Sequence, residues 1–406
     1  TALLTITAAL SYGELAAAMP HAGGQYVYLR EAFGPLFGFL YGWTLFLVIQ
    51  TGTIAAVAVA FAKFAGVFFP SVSAENAVLP FLSSQQLVAI GILVLLTWVN
   101  TQGVKTGSIV QNVFTVAKTA ALLGLILFGF AVGRNEVAVA RNFGNFWGNA
   151  GWNFDTIRLV GVAMVGALFS SDAWNNVTFT AGEIRNPKRN LPLSLVLGVC
   201  AVSFLYIACN FVYLNALPLE QIQNAPQDRV ATAVATQISG RPGSEVLAVA
   251  IMVSTFGCVN GMVLAGARVY YAMAVDGLFF RQVAVVDPKH HVPVVSLWLQ
   301  CLWGCGLTLT GRYNDLLDYV IFAVLLFYIL TIAGLFVLRR TRPEMERPYK
   351  AFGYPFLPAL YMTIAGFIEV LLLLYKPNYT WPGLIIVLLG IPVYFLWRSR
   401  DRAIAR

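Results

Sequence analysis

The feature that most constrains this chain is a series of apolar runs, each about as long as a helix that crosses a lipid bilayer. Such a helix needs about 20 residues, and eleven runs qualify along the 406 residues. The runs are 1–19, 36–62, 82–103, 110–132, 159–181, 191–213, 246–273, 292–310, 316–338, 356–375 and 382–397. No soluble domain fits between them, so an all-α polytopic membrane protein is predicted.

Composition excludes the other broad classes. Charged residues make up only 11% of the chain, whereas a soluble domain has about 25% and needs them on its surface. The excess of basic residues gives a net charge of +8, but it lies in short connectors and not on one polar face, as nucleic-acid binding would require. The predicted surroundings are therefore a lipid bilayer, and nucleic acid is not predicted as a partner.

The distribution of Lys and Arg predicts the orientation. If the connector 20–35 is cytoplasmic, seventeen of the 26 basic residues lie in inner connectors and seven in outer ones. Basic residues are retained on the cytoplasmic side, so the C-terminus is predicted to be cytoplasmic in a multi-pass plasma (inner) membrane protein. Residues 1–397 then form a single transmembrane domain, and 398–406 form a basic cytoplasmic tail. Eleven spans with an outer start also lead us to expect a further helix before residue 1.

One span has an unusual centre. Residues 168–176 within the run 159–181 carry five polar side chains in nine positions, among them Asp172. An ionisable group at membrane depth usually faces a cavity or a partner, and unwound backbone is tolerated there only where it lines such a cavity. The pattern favours a helix that breaks around a binding site. The alternative is a straight helix whose polar stripe packs on its neighbours.

Two further ionisable groups lie within the apolar runs. Lys118 is roughly a dozen residues, or about 18 Å, from either helix end, which is too far for comfortable snorkelling. It could stand at a cation site, carry a proton, or tether helices through their carbonyls. Ser254 and Thr255 of span 246–273 could serve an ion or lysine site, or only allow close helix packing. Glu369 lies within about two turns of an outer helix end, where snorkelling is the default.

Signals for other chemistry are weak. Glu14 and Arg268 are ionisable near inner helix ends and could form a cytoplasmic gate, or be solvated or locally capped. The three histidines lie in loops and form no metal-ligand motif, and no phosphate-binding loop is present. We therefore predict no enzyme activity, no cofactor and no metal site. The five cysteines lie inside apolar runs without CxxC spacing, which is typical of buried free thiols.

Four segments resemble a known family. Residues 11–34 (SYGELAAAMPHAGGQYVYLREAFG) are similar to the second-helix signature of amino acid permeases of the amino acid–polyamine–organocation superfamily. Residues 182–192 (GEIRNPKRNLP) resemble the loop after the sixth helix. Residues 267–279 (ARVYYAMAVDGLF) and 338–350 (LRRTRPEMERPYK) are similar to the L-type amino acid transporter branch. Together the motifs are specific, and the resemblance covers nearly the whole chain.

The resemblance implies a leucine-transporter-like fold. Helices one to five and six to ten form inverted repeats, followed by two extra helices, with helices one and six unwound around the substrate. Span 110–132 corresponds to helix five and span 159–181 to helix six. The eleven spans therefore correspond to helices two to twelve, and the helix expected before residue 1 would supply half of the binding site.

Site residues follow from the same resemblance. Phe169 matches the aromatic that closes over bound substrate. The carbonyls of Phe169, Ser170 and Asp172 match those that receive the α-ammonium group, and Asn175 matches a pocket asparagine. Ser171 belongs to the same segment, although many members have an aromatic residue there.

Lys118 matches a helix-five lysine that stands where sodium-coupled relatives hold an ion. This resemblance argues against sodium dependence, with Ser254 and Thr255 as partners of the ammonium group. Ala173 stands where many members have glycine, and Val324 where some carriers of large neutral substrates have asparagine. Animal members have a cysteine in the loop before helix four that links a glycoprotein subunit. Loop 69–81 here has none, so no disulfide-linked subunit is expected.

The predicted function is a secondary transporter of small or neutral L-amino acids across the plasma membrane. Sodium-independent exchange by alternating access is the favoured mechanism. The alternatives are a membrane sensor that binds an amino acid without moving it, and a proton-coupled symporter. A membrane-embedded enzyme is disfavoured, because no nucleophile and base stand together in the sequence.

Overall fold

The chain folds into a bundle of helices. The computed structural model describes residues 1–145, 148, 151, 153–226, 229–310 and 313–404. Within these ranges, side chains are described except at 104–106, 310, 313–319, 379 and 399–404.

Fifteen α-helices are present in the described part of the chain. They are α1 (Ala2–Ala18), α2 (Gln25–Phe33), α3 (Pro35–Thr44), α4 (Gln50–Ala65), α5 (Ser84–Thr101), α6 (Val104–Val132), α7 (Glu136–Phe143), α8 (Phe154–Ser170), α9 (Pro187–Ala216), α10 (Leu219–Gln223), α11 (Val230–Val275), α12 (Val294–Thr310), α13 (Tyr313–Thr341), α14 (Phe356–Tyr375) and α15 (Pro377–Ile404). A π-helical turn, Leu45–Ile49, joins α3 to α4, and 3₁₀ segments cover Trp174–Glu183 and Arg281–Ala284.

The apolar runs correspond to helices. Among the described residues, nine helical segments are long and apolar enough to cross a membrane, and two shorter apolar helices, Ala2–Ala18 and Val294–Leu309, match the first and eighth runs. The prediction of an all-α polytopic membrane protein is confirmed. Besides its helices, the described part of the chain contains a short antiparallel β-hairpin that pairs Ala77–Leu79 with Leu82–Ser83. It lies in the connector between α4 and α5.

Two helices extend beyond the runs that predicted them. The 46-residue α11 contains a non-helical residue, Gly240, with φ +67°. Glycine adopts this left-handed conformation without a steric penalty, and Pro242 just after it removes a backbone donor. The break therefore separates a connector helix from the span that follows. At the other end of the chain, α15 continues past its span Thr380–Arg398 to residue 404, so the predicted tail begins as a helical extension.

The core lies where α1, α13 and the segment after α8 meet. Tyr12, Phe179, Tyr270 and Phe327 are fully buried in one large apolar cluster. The surface helix α6 shows the opposite pattern, since side chains such as Val116 are 70% exposed. Apolar side chains on the outside are the expected surface of a helix that faces lipid.

Candidate substrate site

The polar segment of the run 159–181 breaks its helix as predicted. Helix α8 ends at Ser170, and the chain turns through Ser171 and Asp172 before the 3₁₀ segment begins at Trp174. Ala173 has φ 62°, in the left-handed region, which is unfavourable for a residue with a side chain. This conformation explains why glycine suits the position. The turn re-aims the backbone in the middle of the bundle.

Two small cavities lie beside this break. The Gln50 cavity is lined by Gln50, Asn175, Phe179 and, from α3, Tyr41, among others. The Tyr361 cavity is lined by residues of α1 and α14, Tyr361 included. Asp172, Val324 and Tyr328 line both. The broken segment therefore separates two polar-edged spaces, which is the arrangement expected of a transporter binding site.

A hydrogen-bond network fixes the polar side chains of the break. The hydroxyl of Tyr328 donates to Asp172 Oδ1 at 2.7 Å and lies 3.2 Å from Asn175 Oδ1. The amide of Asn175 donates to Gln25 Oε1 at 2.8 Å, and Gln25 donates to the hydroxyl of Thr331 at 3.0 Å. The network ties the segment after α8 to both α2 and α13, so movement of any one of them affects Asp172.

Aromatic rings border the same region. Trp174 lies 4.9 Å from Tyr12 and 5.4 Å from Tyr328, measured between ring centroids, and Tyr12 and Tyr328 are 5.8 Å apart. The two contacts of Tyr12 are edge-to-face, and rings in this arrangement attract each other beyond simple area burial. The cluster supports Tyr328 in the position from which it binds Asp172.

The π-helical turn places other groups at the site. Leu45 and Ile49 begin and end this turn and line the Gln50 cavity. Gln50, which follows, donates to the carbonyl of Met262 in α11 at 2.8 Å. Single π turns inside long helices often occur at functional sites. The apolar run 36–62 gave no sign of it.

The predicted substrate-binding residues are partly brought together. Ser171, Asp172 and Asn175 line one or both cavities. Phe169 packs against Ala55 and Ala56 of α4 and lines neither cavity. Its carbonyl already accepts the amide hydrogen of Asp172 at 3.0 Å.

Ser170 is turned away from the cavities. Its hydroxyl donates to Gly166 of its own helix at 2.9 Å and is exposed. Only its backbone is therefore positioned near the break. The role predicted for Ser170 belongs to its backbone carbonyl. The direction of its side chain does not test that role, which stays a prediction.

Lys118 packs against α11, but not on the predicted hydroxyls. Its ammonium nitrogen lies 3.8 Å from the sulfur of Cys258, which is one helical turn after Ser254 on the same face of α11. Thr255 donates to carbonyls of its own helix, Ile251 at 2.8 Å and Met252 at 3.1 Å. Contact of Lys118 with α11 was predicted, but the residue that it contacts, Cys258, lies one helical turn beyond the predicted Ser254.

Glu14 and Arg268 do not form the predicted pair in the described structure. Glu14 binds Arg339 at 2.6 Å, Arg347 at 3.2 Å and the amide of Ala351 at 2.7 Å. Arg268 binds Glu183, at the end of the 3₁₀ segment, at 2.9 Å. The cationic partners of Glu14 come from the end of α13 and the loop after it, more than 300 residues away in sequence.

Further ion pairs join the elements at this predicted cytoplasmic end. Arg30 contacts both Glu31 and Asp276, and Glu31 also binds Arg342 at 2.7 Å. Partial burial works against ionisation of Glu31, but the guanidinium groups of Arg342 and Arg30 outweigh it and lower the pKa of this carboxyl. The pairs connect α2 with the residues directly after α11 and α13, and both of these helices contact the site.

Replacing Glu14 with Gln should destabilise the protein strongly. The carboxylate is 1% exposed and holds two arginines, and removing one partner of a buried ion pair costs about 3–5 kcal/mol. Thermal unfolding in detergent measures the loss. Glu346→Gln is the matched control, because Glu346 pairs with Lys188 at an exposed position, where such a pair contributes about 1 kcal/mol or less. Equal stability of the two variants would contradict this assignment.

Four residues at or near the site were not predicted from the sequence. Tyr328 and Thr331 are three residues apart in an apolar run, and this polar pair was an available signal. Gln25 lies in a connector, and nothing in the sequence shows that it reaches Asn175. The apolar surroundings of Cys258 in the sequence predict a buried free thiol and give no sign of its contact with Lys118.

A bundle of apolar helices with one of them broken around a polar cavity defines a membrane transporter. The family model described as "Amino acid permease" matches residues 1–395, and the chain belongs to the amino acid permease family.

Named relatives come from the predicted branch. The large neutral amino acids transporter small subunit 2 of Mus musculus is 32% identical over 412 residues, covering 99% of this chain and 74% of the relative. The b(0,+)-type amino acid transporter 1 of Mus musculus is 30% identical, covering 97% and 78%. The Asc-type amino acid transporter 1 of Mus musculus is 29% identical, covering 99% and 74%. The resemblance to L-type transporters is confirmed.

Proposed function

We propose that this protein exchanges small or neutral L-amino acids across the plasma membrane without sodium. The observation that carries the proposal is the break at Ser171–Ala173, which places Asp172 between two cavities. The names of the relatives support the substrate class, since they include large neutral amino acids and other amino acids.

The break suits a zwitterion. Backbone carbonyls near Phe169, Ser170 and Asp172 receive the α-ammonium group of the substrate, and the side-chain carboxylate of Asp172 adds a negative charge beside them. The hydroxyl of Tyr328 holds that carboxylate in place and also lies within hydrogen-bond distance of Asn175. Val324 leaves an apolar wall on α13 for a substrate side chain.

Alternating access follows from the connections of the site. Substrate binding orders the broken segment and draws Phe169 over the bound amino acid. The ion pairs at the cytoplasmic end, such as Glu31–Arg342 and Arg268–Glu183, separate when the inner side opens. A substrate can shift this equilibrium only by binding one state more tightly than the other. The Asp172–Tyr328 contact links the site to α13, and Arg342 follows directly after the end of this helix.

Counterflow separates a carrier from a sensor. Liposomes containing the purified protein are loaded with unlabelled L-alanine, L-serine or L-leucine and diluted into the labelled amino acid. An exchanger accumulates label transiently with at least one of them, whereas a sensor binds label without flux. Protein-free liposomes are the control. Binding without accumulation would overturn the transport proposal and favour the sensor.

The protein works without a disulfide-linked subunit in this proposal. All five cysteines are free and lie in helices α9, α11 and α12, and loop 69–81 contains none. One relative is named as a small subunit, which suggests a larger partner for that protein. Electrophoresis of membranes with and without reductant tests the difference, and a larger band only under non-reducing conditions would contradict the proposal.

The C-terminus should be cytoplasmic. The basic residues predict this side, so a cysteine introduced at residue 402 of a cysteine-free variant should resist a membrane-impermeant thiol reagent in intact cells. The same cysteine should react after the cells are permeabilised, which is the control. Rapid labelling in intact cells would reverse the orientation.

A further inference from the structure

A carboxyl group without a partner is buried in the transmembrane part of the bundle, away from the break. Glu369 on α14 is 7% exposed, and neither of its oxygens has a hydrogen-bond partner among the described residues. Ala365, Ile368 and Leu372 on the same helix are buried with it. The side chain therefore points into the bundle, and the prediction that it snorkels to the outer surface is wrong.

Glu369 and Asp172 share neighbours. Helix α14 packs on α13, and the backbone of Leu326 in α13 approaches the carboxyl of Glu369 without reaching hydrogen-bonding geometry. Two residues further along, Tyr328 donates to Asp172. Tyr361, two turns before Glu369 on α14, lines the same cavity as Asp172 and is within electrostatic range of both carboxyls. A change at Glu369 can therefore reach the substrate site through α13 and Tyr361.

No described cation neutralises Glu369. Arg158 of α8 lies near the end of α14, but its guanidinium is over the ring of Tyr375 at 4.9 Å and pairs with Asp155 at 3.3 Å. Four elements pack on α14, namely α1, α8, α13 and α15. The described titratable and charged groups of these elements, of α14 and of the adjoining turns are the amino terminus at Thr1, Tyr12, Glu14, Asp155, Arg158, Asp172, Tyr328, Arg339, Arg340, Arg342, Tyr354, Tyr361, Tyr375, Lys376, Tyr394 and Arg398.

We propose that Glu369 is a proton-binding site whose occupancy is coupled to amino acid movement. This inference rests on the transport function proposed above and adds a proton to it. An unpaired carboxylate in apolar surroundings is far less favourable than the neutral acid, so the packing of α14 against Leu326 accommodates the protonated form. When the proton leaves for water, the charge requires water or a donor beside it.

Deprotonation therefore favours separation of α14 from α13. Because α13 also carries Tyr328, this separation alters the contact that holds Asp172. Proton binding at Glu369 and closure at the substrate site then both favour the packed arrangement of α13 and α14. Two sites are coupled when both act on one shared equilibrium of this kind. The proton enters from water and returns to it, and no other group changes its charge in the step.

The test is the pH dependence of counterflow in liposomes, with equal pH on both sides. The range from about pH 5 to 9 covers the titration of buried carboxyls. Wild-type exchange should change several-fold over this range. Glu369→Gln keeps the shape of the neutral acid and should give a flat profile. Glu136→Gln is the matched control, because Glu136 is 78% exposed on α7, and it should retain the wild-type profile.

Infrared spectroscopy supplies a readout that does not depend on flux. The spectrum of the wild-type protein should contain a protonated carboxyl band that disappears at high pH, is absent from Glu369→Gln, and shifts in Glu369→Asp. A flat wild-type pH profile, a wild-type profile in Glu369→Gln, or a band unaffected by both substitutions would overturn the proposal. Absence of counterflow together with a normal band at Glu369 would instead count against the transport function.

Discussion

Replacing Phe169 with Ala should reduce exchange by about tenfold or more while the protein still inserts and folds. The ring lies one residue before the end of α8 and packs against Ala55 and Ala56 of α4. In the proposed cycle it moves from this contact to cover the substrate. Each 1.4 kcal/mol lost from the closed state reduces its population tenfold, and a ring contributes at least that much when buried. Initial rates of counterflow at matched protein density measure the effect.

A lipid-facing phenylalanine provides the control. Phe128 is 51% exposed on α6, so Phe128→Ala removes an equal ring without touching the site and should leave exchange unchanged. If Phe169→Ala transports at the wild-type rate, Phe169 is not a gate and its contact with α4 is only packing.

Replacing Lys118 with Ala should reduce exchange by about 5- to 150-fold, the range that coupling free energies of 1–3 kcal/mol produce. The ammonium is partly buried at membrane depth and contacts Cys258 at 3.8 Å. As a fixed charge in the proposed ion position, it makes sodium unnecessary, so wild-type exchange should be the same in sodium and in choline. Lys118→Arg should rescue only in part, because the guanidinium group is larger and forked.

Lys289 is the control for this prediction, since it is an exposed loop lysine and Lys289→Ala should exchange normally. Sodium-dependent exchange by the wild type would contradict the ion-substitute role. An unimpaired Lys118→Ala variant would also contradict it and leave Lys118 as a packing residue.

Local features of the fold were predictable from the sequence. Spans such as 356–375 were found because hydropathy over about 20 residues is a local property that decides insertion into a bilayer. The break after Ser170 was predictable for the same reason, since polar side chains concentrated in nine residues of one span. Gly240 with Pro242 also marks a break locally, although the apolar run placed the start of that span a few residues later.

Contacts between distant segments were not predictable in the same way. Glu14 and Arg339 are 325 residues apart, and the choice of Arg339 over Arg268 depends on how α1 packs beside α13. The contact of Lys118 with Cys258 depends on how far α11 is shifted along α6, because Ser254 and Cys258 lie one helical turn apart on the same face. Glu369 was assigned to the surface from its distance to a helix end, but burial depends on which face of α14 meets α13.

If the break at Ser171–Ala173 binds the amino acid, a bound amino acid should protect a cysteine at position 171 from chemical labelling. Ser171 lines the Tyr361 cavity, and Ser171→Cys in a cysteine-free variant exchanges one small side chain for another. The rate of labelling by a small thiol reagent is measured with and without saturating L-alanine, L-serine or L-leucine. Ser239→Cys, exposed in the connector helix before Gly240, is the control that no amino acid should affect. We predict that at least one of these amino acids slows labelling at residue 171 and leaves residue 239 unchanged. Equal labelling at residue 171 with and without an amino acid that the protein demonstrably exchanges would contradict the assignment of the break as the binding site.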